Sequence, residues 1–301
     1  MPSRETHPLP GPATMTQIIT FTGHTAAVTS IGWRVGGNFA YSGSEDGTIK
    51  VWTQSSPKPQ LSLDCESPVS SVCILQSMVE MVSADRDGRV SLWDLRMSRV
   101  RQRVRPTLGP ESVRRLPLSA VAASHGPPCV VAASHSGLMH TWKPRKGDDG
   151  VVRLGESTEV VEAHTDYITK ATFGPKGAAL ATASADKTVQ LWRRVSAAEV
   201  AARAEAGAAE GAEAAASAAA ASGGGARAGP RWERGPRLVG HQGWVWDAAF
   251  NADGSFVFTG SADGTARLWN AGTGDLAMSF NEHGGRGVCA VDVHDAHPPK
   301  A

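Results

Sequence analysis

Cysteine is scarce in this 301-residue chain, and Cys65, Cys73, Cys129 and Cys289 form neither a Cys-x-x-Cys pair nor a regular spacing. That argues against a zinc site and a disulfide framework and for a reducing compartment. No apolar run reaches the ~18 residues needed to span a bilayer. The first residues, Met1 to Thr14, hold Pro2, Pro8, Pro10 and Pro12 and no apolar stretch of the secretory kind. A cytoplasmic protein without direct membrane insertion is expected. Neither charge is in surplus, with 30 Lys and Arg against 29 Asp and Glu, so no global field favours nucleic acid. Gly223 to Gly225 lie in a low-complexity tract rather than between a strand and a helix, so they make no phosphate loop, and the nucleophile-elbow pattern is missing. These absences point away from an enzyme and imply no cofactor and no metal.

Present instead is a repeat. Its best-formed copy runs from Gly240-His241-Gln242-Gly243-Trp244-Val245-Trp246-Asp247 to Ala262-Asp263-Gly264-Thr265-Ala266-Arg267-Leu268-Trp269. A His precedes a strand, an Asp-Gly turn follows, and a Trp closes a later strand. His24, Asp46 and Trp52 keep that spacing, as do His164, Asp186 and Trp192. Short β-rich runs between Gly-rich turns predict strands at Val28 to Trp33, Asn38 to Ser42 and Thr48 to Trp52 in the first copy. The second copy, without the His, predicts Val69 to Leu75, Val79 to Ser83 and Arg89 to Trp93. The third and weakest predicts Val113 to Val121, Cys129 to Ala133 and Leu138 to Trp142, with Ser136-Gly137 in place of Asp-Gly.

The closing residues Trp52, Trp93, Trp142, Trp192 and Trp269 are evenly spaced except for the last gap. The excess there is the Ala/Glu/Gly/Ser tract 196–229, expected to be a solvated, transiently helical or disordered insertion, since it has no large apolar stripe to dock. Its removal restores a period of about 42 residues, that of a four-stranded propeller blade. The expected organisation is a flexible Pro-rich tail over 1–16 and one all-β propeller over 17–295. Its repeats span about 17–63, 64–105, 106–160, 161–239 and 240–280. An isolated outer strand at Ile18 to Phe21 and a closing inner strand at 287–292 complete the reading.

The Gly-His, Asp-Gly-Thr and apolar-x-apolar-Trp pattern resembles the WD-repeat family, although only Trp93-Asp94 spells the signature dipeptide. Within it, Tyr41-Ser42-Gly43-Ser44-Glu45-Asp46-Gly47-Thr48, Ala163-His164-Thr165 and the stretch from Gly240 to Trp269 are similar to the WD-repeat subunits of target-of-rapamycin kinase complexes. The likeness runs from about Gln17 to Asp295. It implies a non-enzymatic scaffold that binds the target-of-rapamycin kinase, through an insertion in its kinase domain, and other complex subunits in nutrient and growth signalling. Other WD adaptors, such as a ubiquitin-ligase substrate receptor or a G-protein-β-like hub, are the alternative. Those subunits have seven repeats; here five are recognisable, so two blades of the ring are unaccounted for.

The resemblance further implies that His24, Asp46 and Trp52, His164, Asp186 and Trp192, and His241, Asp263 and Trp269 form hydrogen-bonded structural ties. A triplicated His/Asp set suits scaffolding better than catalysis. Strand alternation turns Trp244 and Trp246 away from Val245. With Tyr167 at the position equivalent to Trp244, they are candidate protein-binding residues, Trp and Tyr being common at interface hot spots; packing between blades is the alternative. Arg99, Arg101, Arg103 and Arg105 alternate with Val100, Gln102 and Val104 after Trp93-Asp94, where an outermost strand is expected. They read as a charged guard on that edge rather than a phosphate site. His294 and His297 read as part of a solvated tail.

Overall fold

Short alternating runs such as Thr48-Ile49-Lys50-Val51-Trp52 put one set of side chains on each face of a strand. The tight turns between them return the chain antiparallel. The outcome, in a computed structural model that describes residues 19–33, 39–77, 79–106, 116–155, 157–196, 199 and 231–293, is five antiparallel sheets of four strands each. The first sheet contains β1 (Val28–Trp33), β2 (Phe39–Ser44), β3 (Thr48–Thr53) and β4 (Ser56–Asp64), and the second β5 (Val69–Ile74), β6 (Glu80–Asp85), β7 (Val90–Asp94) and β8 (Arg99–Val104). In the third, β9 (Leu118–Ala123), β10 (Val130–Ser134) and β11 (Leu138–Trp142) are joined by β14 (Glu159–Glu162). A small ladder of β12 (Arg145–Lys146) and β13 (Val152–Arg153) lies between β11 and β14 in the chain. The fourth comprises β15 (Ile168–Phe173), β16 (Ala179–Ser184), β17 (Thr188–Val195) and β18 (Arg231–Val239), and the fifth β19 (Val245–Phe250), β20 (Phe256–Ser261), β21 (Ala266–Asn270) and β22 (Leu276–Phe280).

Each sheet is one blade, and the blades follow one another in chain order. Their inner strands carry the succession: β1 packs on β5, β5 on β9, β9 on β15 and β15 on β19. The core is therefore divided among the blade interfaces. Tyr41, Ile49 and Leu63 of the first blade meet Val69, Val72 and Trp93 of the second, and Ala183, Val189 and Leu238 of the fourth meet Val245, Ala248 and Trp269 of the fifth. No blade buries both faces alone, so each depends on its neighbours.

The ends of the series show what that dependence means. Val69 and Val72 in β5 are 0% and 5% exposed, whereas Val28 and Ile31 at the same register positions in β1 are 51% and 79% exposed. Trp33, at the position of buried Ile74, is also exposed. The described sheets do not close into a ring. Of the outer strand expected at Ile18 to Phe21, Ile18 lies outside the described residues and residues 19–21 belong to no ladder among them, although Thr22 N donates to Pro57 O at 3.0 Å and Phe21 stacks on Trp52. A strand requires a sheet edge to join, and no preceding sheet is present among the described residues. The closing strand expected at 287–292 likewise joins no ladder among the described residues, although Val288 N donates to Ser261 O at 2.8 Å and Val291 N to Asp247 Oδ2 at 3.1 Å.

Elsewhere the strands lie within a residue or two of their expected limits. The third blade starts at Leu118; its expected start at Val113 lies outside the described residues, as do the tail over 1–16, His294, His297 and almost all of the tract 196–229. That tract leaves and re-enters the fourth blade at one place, because Val195 at the end of β17 pairs with Arg231 at the start of β18.

Candidate functional site

The His positions lie where the chain enters a blade, and the Asp positions lie in the turn between its second and third strands. Trp52 Nε1 donates to Ser42 Oγ at 2.8 Å, and Ser42 Oγ lies 2.7 Å from His24 Nε2. His24 Nδ1 is 2.8 Å from Asp46 Oδ2. With the Ser hydroxyl donating to Nε2, the imidazole carries its proton on Nδ1 and donates to the carboxylate. The fourth blade runs the same path from Trp192 through Thr182 to His164 and Asp186, at 3.0, 2.9 and 2.9 Å. The fifth runs from Trp269 through Thr259 to His241 and Asp263, at 2.9, 2.8 and 2.9 Å.

Burial alone would raise the carboxyls of Asp46, Asp186 and Asp263. Hydrogen bonds from Thr48, Thr25 and His24, from His164 and Thr188, and from Thr265, Gln242 and His241 respectively outweigh it and hold all three well below the usual carboxylate range. Burial lowers the His241 imidazole despite Asp263, favouring the neutral ring. Every polar atom in such a chain faces a partner inside its own blade, which ties a turn to its sheet.

The second blade keeps only part of this arrangement, the bond from Trp93 Nε1 to Ser83 Oγ at 2.8 Å, with Cys65 at the His position. In the third, Ala132 replaces the hydroxyl, and the residue opposite it is His140. That imidazole is fully buried, its ring 6.1 Å from that of Trp142, and neither nitrogen has a hydrogen-bond partner among the described residues. Burial pushes its pKa down to about 4. The sequence reading passes over His140, whose only signal was a His two residues before a closing Trp.

Trp244 and Trp246 flank Val245, which is 0% exposed. Trp244 is 48% exposed and Trp246 is half-buried, and their rings pack at 5.3 Å and 59°. The two indoles thus form one aromatic surface at the start of the innermost strand of the fifth blade. Tyr167 is half-buried and packs on His135 of the preceding blade at 4.3 Å. Next to Trp246, Lys170 reaches across from the fourth blade to Asp247 at 3.1 Å. Neither His135 nor this ion pair is marked by the repeat spacing.

Arg99, Arg101 and Arg103 lie on β8, the outermost strand of the second blade. Arg101 bonds Asp94 and Arg103 pairs with Glu66 at 3.0 Å, while Arg105 is exposed just beyond the strand. A groove beside β8 is lined by Asp94, Arg101, Val152 and Arg153. Of these, Asp94 and Arg101 are engaged with each other and Arg153 with Asp149. Among the described residues, no three His, Cys, Asp or Glu side chains are grouped to hold a metal ion, and no helix is long and apolar enough to cross a membrane.

Comparison with known protein families finds the "WD domain, G-beta repeat" at residues 15–53, 57–94, 155–193 and 233–270, together more than half of the chain. The third blade, where the His, hydroxyl and Asp are all replaced, is mostly outside these matches. Among curated proteins the chain is similar to "Target of rapamycin complex subunit wat1" of Schizosaccharomyces pombe, 31% identical over 175 residues, 58% of this chain and 53% of the relative. It is similar to "Protein LST8 homolog" of Dictyostelium discoideum, 31% identical over 174 residues, with 58% and 54% covered. It is also similar to "Target of rapamycin complex subunit LST8" of Mus musculus, 29% identical over 182 residues, with 58% and 52% covered. The matches span about half the length of these relatives.

Proposed function

The chain belongs to the WD domain, G-beta repeat family, and we propose that it is a non-enzymatic scaffold subunit of a target-of-rapamycin kinase complex. In this reading it binds and stabilises the kinase domain in nutrient and growth signalling. It works in the cytoplasm and reaches endomembranes only through the complex. The names of its relatives supply the complex, and the chemistry of the chain supplies the manner of binding.

The observation that carries the binding mode is the exposed indole pair. A Trp that is 48% exposed in the most regular repeat, supported by a second Trp and beside a fully buried Val, is a rigid apolar platform. Large aromatics presented in this way supply binding energy at little cost in side-chain entropy. Trp244 and Trp246 form the centre of the contact, with Tyr167 as an additional contact one blade away. The His, Asp and Trp residues of the first, fourth and fifth blades hold the turns around that platform in place and take no part in chemistry.

The test is affinity purification of the tagged chain from extract of its own cells, with wild type and the Trp244→Ala/Trp246→Ala variant in parallel. The target-of-rapamycin kinase should be recovered with wild type and lost with the variant. Recovery of cullin-adaptor subunits without the kinase would assign the chain to the ubiquitin-ligase receptors and overturn the proposal. Equal recovery of the kinase by both would overturn the role of the indoles.

A further inference from the structure

The β12–β13 hairpin is an addition to the four-stranded plan of a blade, inserted between β11 and β14. Insertions into a regular repeat fold are a common place for binding to be added. This one is held in shape by its own bonds: Gly147 N donates to Val151 O at 2.9 Å, and Arg153 Nη2 donates to Asp149 Oδ2 at 2.6 Å. It stands at the seam between the second and third blades. Val152 packs against the cluster that holds Leu75 and Trp142, and Leu154 N, just after the hairpin, donates to Gln102 Oε1 of β8 at 2.8 Å.

The hairpin walls a cavity of 210 Å³ whose interior is apolar, formed by Leu75, Cys129, Pro144 and Val152. Burial pushes the Cys129 thiol up to about 12, so this side chain is a protonated wall and not a nucleophile. The hydroxyls in the lining are already bonded: Ser124 Oγ donates to Pro127 O at 2.6 Å, and Ser77 Oγ donates to Glu80. At the mouth lie Arg145 and Lys146, both exposed, and among the described residues neither side chain makes a hydrogen bond or an ion pair. The carboxylates of the adjoining segments are held elsewhere, Glu80 by Ser77 and Arg101 and Asp149 by Arg153. The result is an apolar interior under two uncompensated positive charges.

We propose that this cavity binds a small amphipathic carboxylate, with its apolar body between the blades and its carboxylate on Arg145 and Lys146. At about 30 Å³ for a water-sized group, the space takes a chain of about seven methylene-sized groups. Burial of those groups supplies the attraction, and charge-assisted hydrogen bonds at the rim select the head group. A neutral apolar molecule leaves the two cations unused, and a cationic one is repelled by them. The cavity lies beyond the ends of the inner strands β5 and β9, whereas Trp244 precedes the inner strand β19, so the two surfaces are on opposite faces of the propeller and independent of each other.

The experiment titrates the full chain with octanoate and follows the Cys129, Lys146 and Val152 amides by NMR. Saturable binding is expected with a dissociation constant of about 1 mM or tighter, and octanol, octylammonium and acetate should each bind at least about tenfold more weakly. Arg145→Glu/Lys146→Glu should weaken octanoate at least about tenfold and leave octanol unchanged, whereas Val152→Phe, which fills the space, should weaken both. Far-UV circular dichroism should be unaltered in each; if Val152→Phe does not fold, the rim variant, at exposed positions, decides alone. Absence of saturable octanoate binding, or equal binding by wild type and the rim variant, would overturn the proposal. Octanol, octylammonium or octyl phosphate bound more tightly than octanoate would overturn the carboxylate assignment.

Discussion

Replacing His241 with Ala removes an imidazole whose side chain is 2% exposed and which bridges Asp263 and Thr259 at 2.9 and 2.8 Å. The groups left behind are not orphaned. Thr259 Oγ still accepts from Trp269 Nε1, and Asp263 keeps the Gln242 amide and both the amide and hydroxyl of Thr265. The loss is therefore two hydrogen bonds, each worth about 1 kcal/mol net, and a cavity the size of the ring. Because the blade turn can collapse only partly into that space, the expected total is about 2–3 kcal/mol. Urea unfolding followed by Trp fluorescence measures it, with His283→Ala, at an exposed position, as the control expected to stay within about 0.5 kcal/mol. A His241→Ala variant as stable as the control would refute the structural tie.

Three other outcomes follow from the same geometry. His140 titrates near 4 in the fold against 6.5 in the unfolded chain, so the unfolded state binds more protons between these values. Stability should therefore be highest above pH 6.5 and fall by up to about 3 kcal/mol as pH drops towards 4; His140→Leu should flatten that part of the stability profile, and an unchanged profile would show that His140 does not control it. At the matched positions of β1 and β5, Val72→Ala should cost about 2 kcal/mol and Ile31→Ala less than ~0.5 despite removing more carbon. Equal costs by denaturation would mean that something covers the first blade in solution. Gly137 and Gly284 both have positive φ, 78° and 61°, but a Cβ on Gly137 would lie 2.1 Å from the His164 carbonyl oxygen whereas none of the surroundings of Gly284 comes within 4 Å. Gly284→Ala should cost about 1 kcal/mol and Gly137→Ala clearly more; thermal melting of the two variants decides.

The number and order of the blades could be read from the closing Trp residues, because each occupies the same buried place at the end of a third strand. The positions of His24, His164 and His241 were legible for a similar reason: a side chain that must reach a turn 22 residues away cannot shift along the strand without breaking the bond. The third blade was legible through Trp142 and the runs Cys129 to Ala133 and Leu138 to Trp142, without the His and Asp of its siblings. Its buried His140 substitutes for no fixed contact, so spacing gave no warning of it. At the ends, residues 19–21 and 287–292 have strand composition but join no ladder among the described residues, because strands are defined by partners and composition does not reveal which partner is present. That Val28 and Ile31 are exposed while Val69 and Val72 are buried is equally invisible locally, the two runs being similar in character. The alternation around Val245 could place Trp244 and Trp246 on the opposite side but could not fix their exposure, which depends on the neighbouring blade.

The proposed binding of the target-of-rapamycin kinase runs through Trp244 and Trp246. Its most direct test is titration of the purified kinase domain with the purified full chain, wild type against Trp244→Ala/Trp246→Ala, with the melting temperature of each recorded. Saturable binding is predicted for wild type, weakened at least about 30-fold in the double variant, as loss of a hot-spot side chain of ~2 kcal/mol or more requires, while melting stays the same. No saturable binding by the wild-type chain, or equal binding by the two, would contradict the claim.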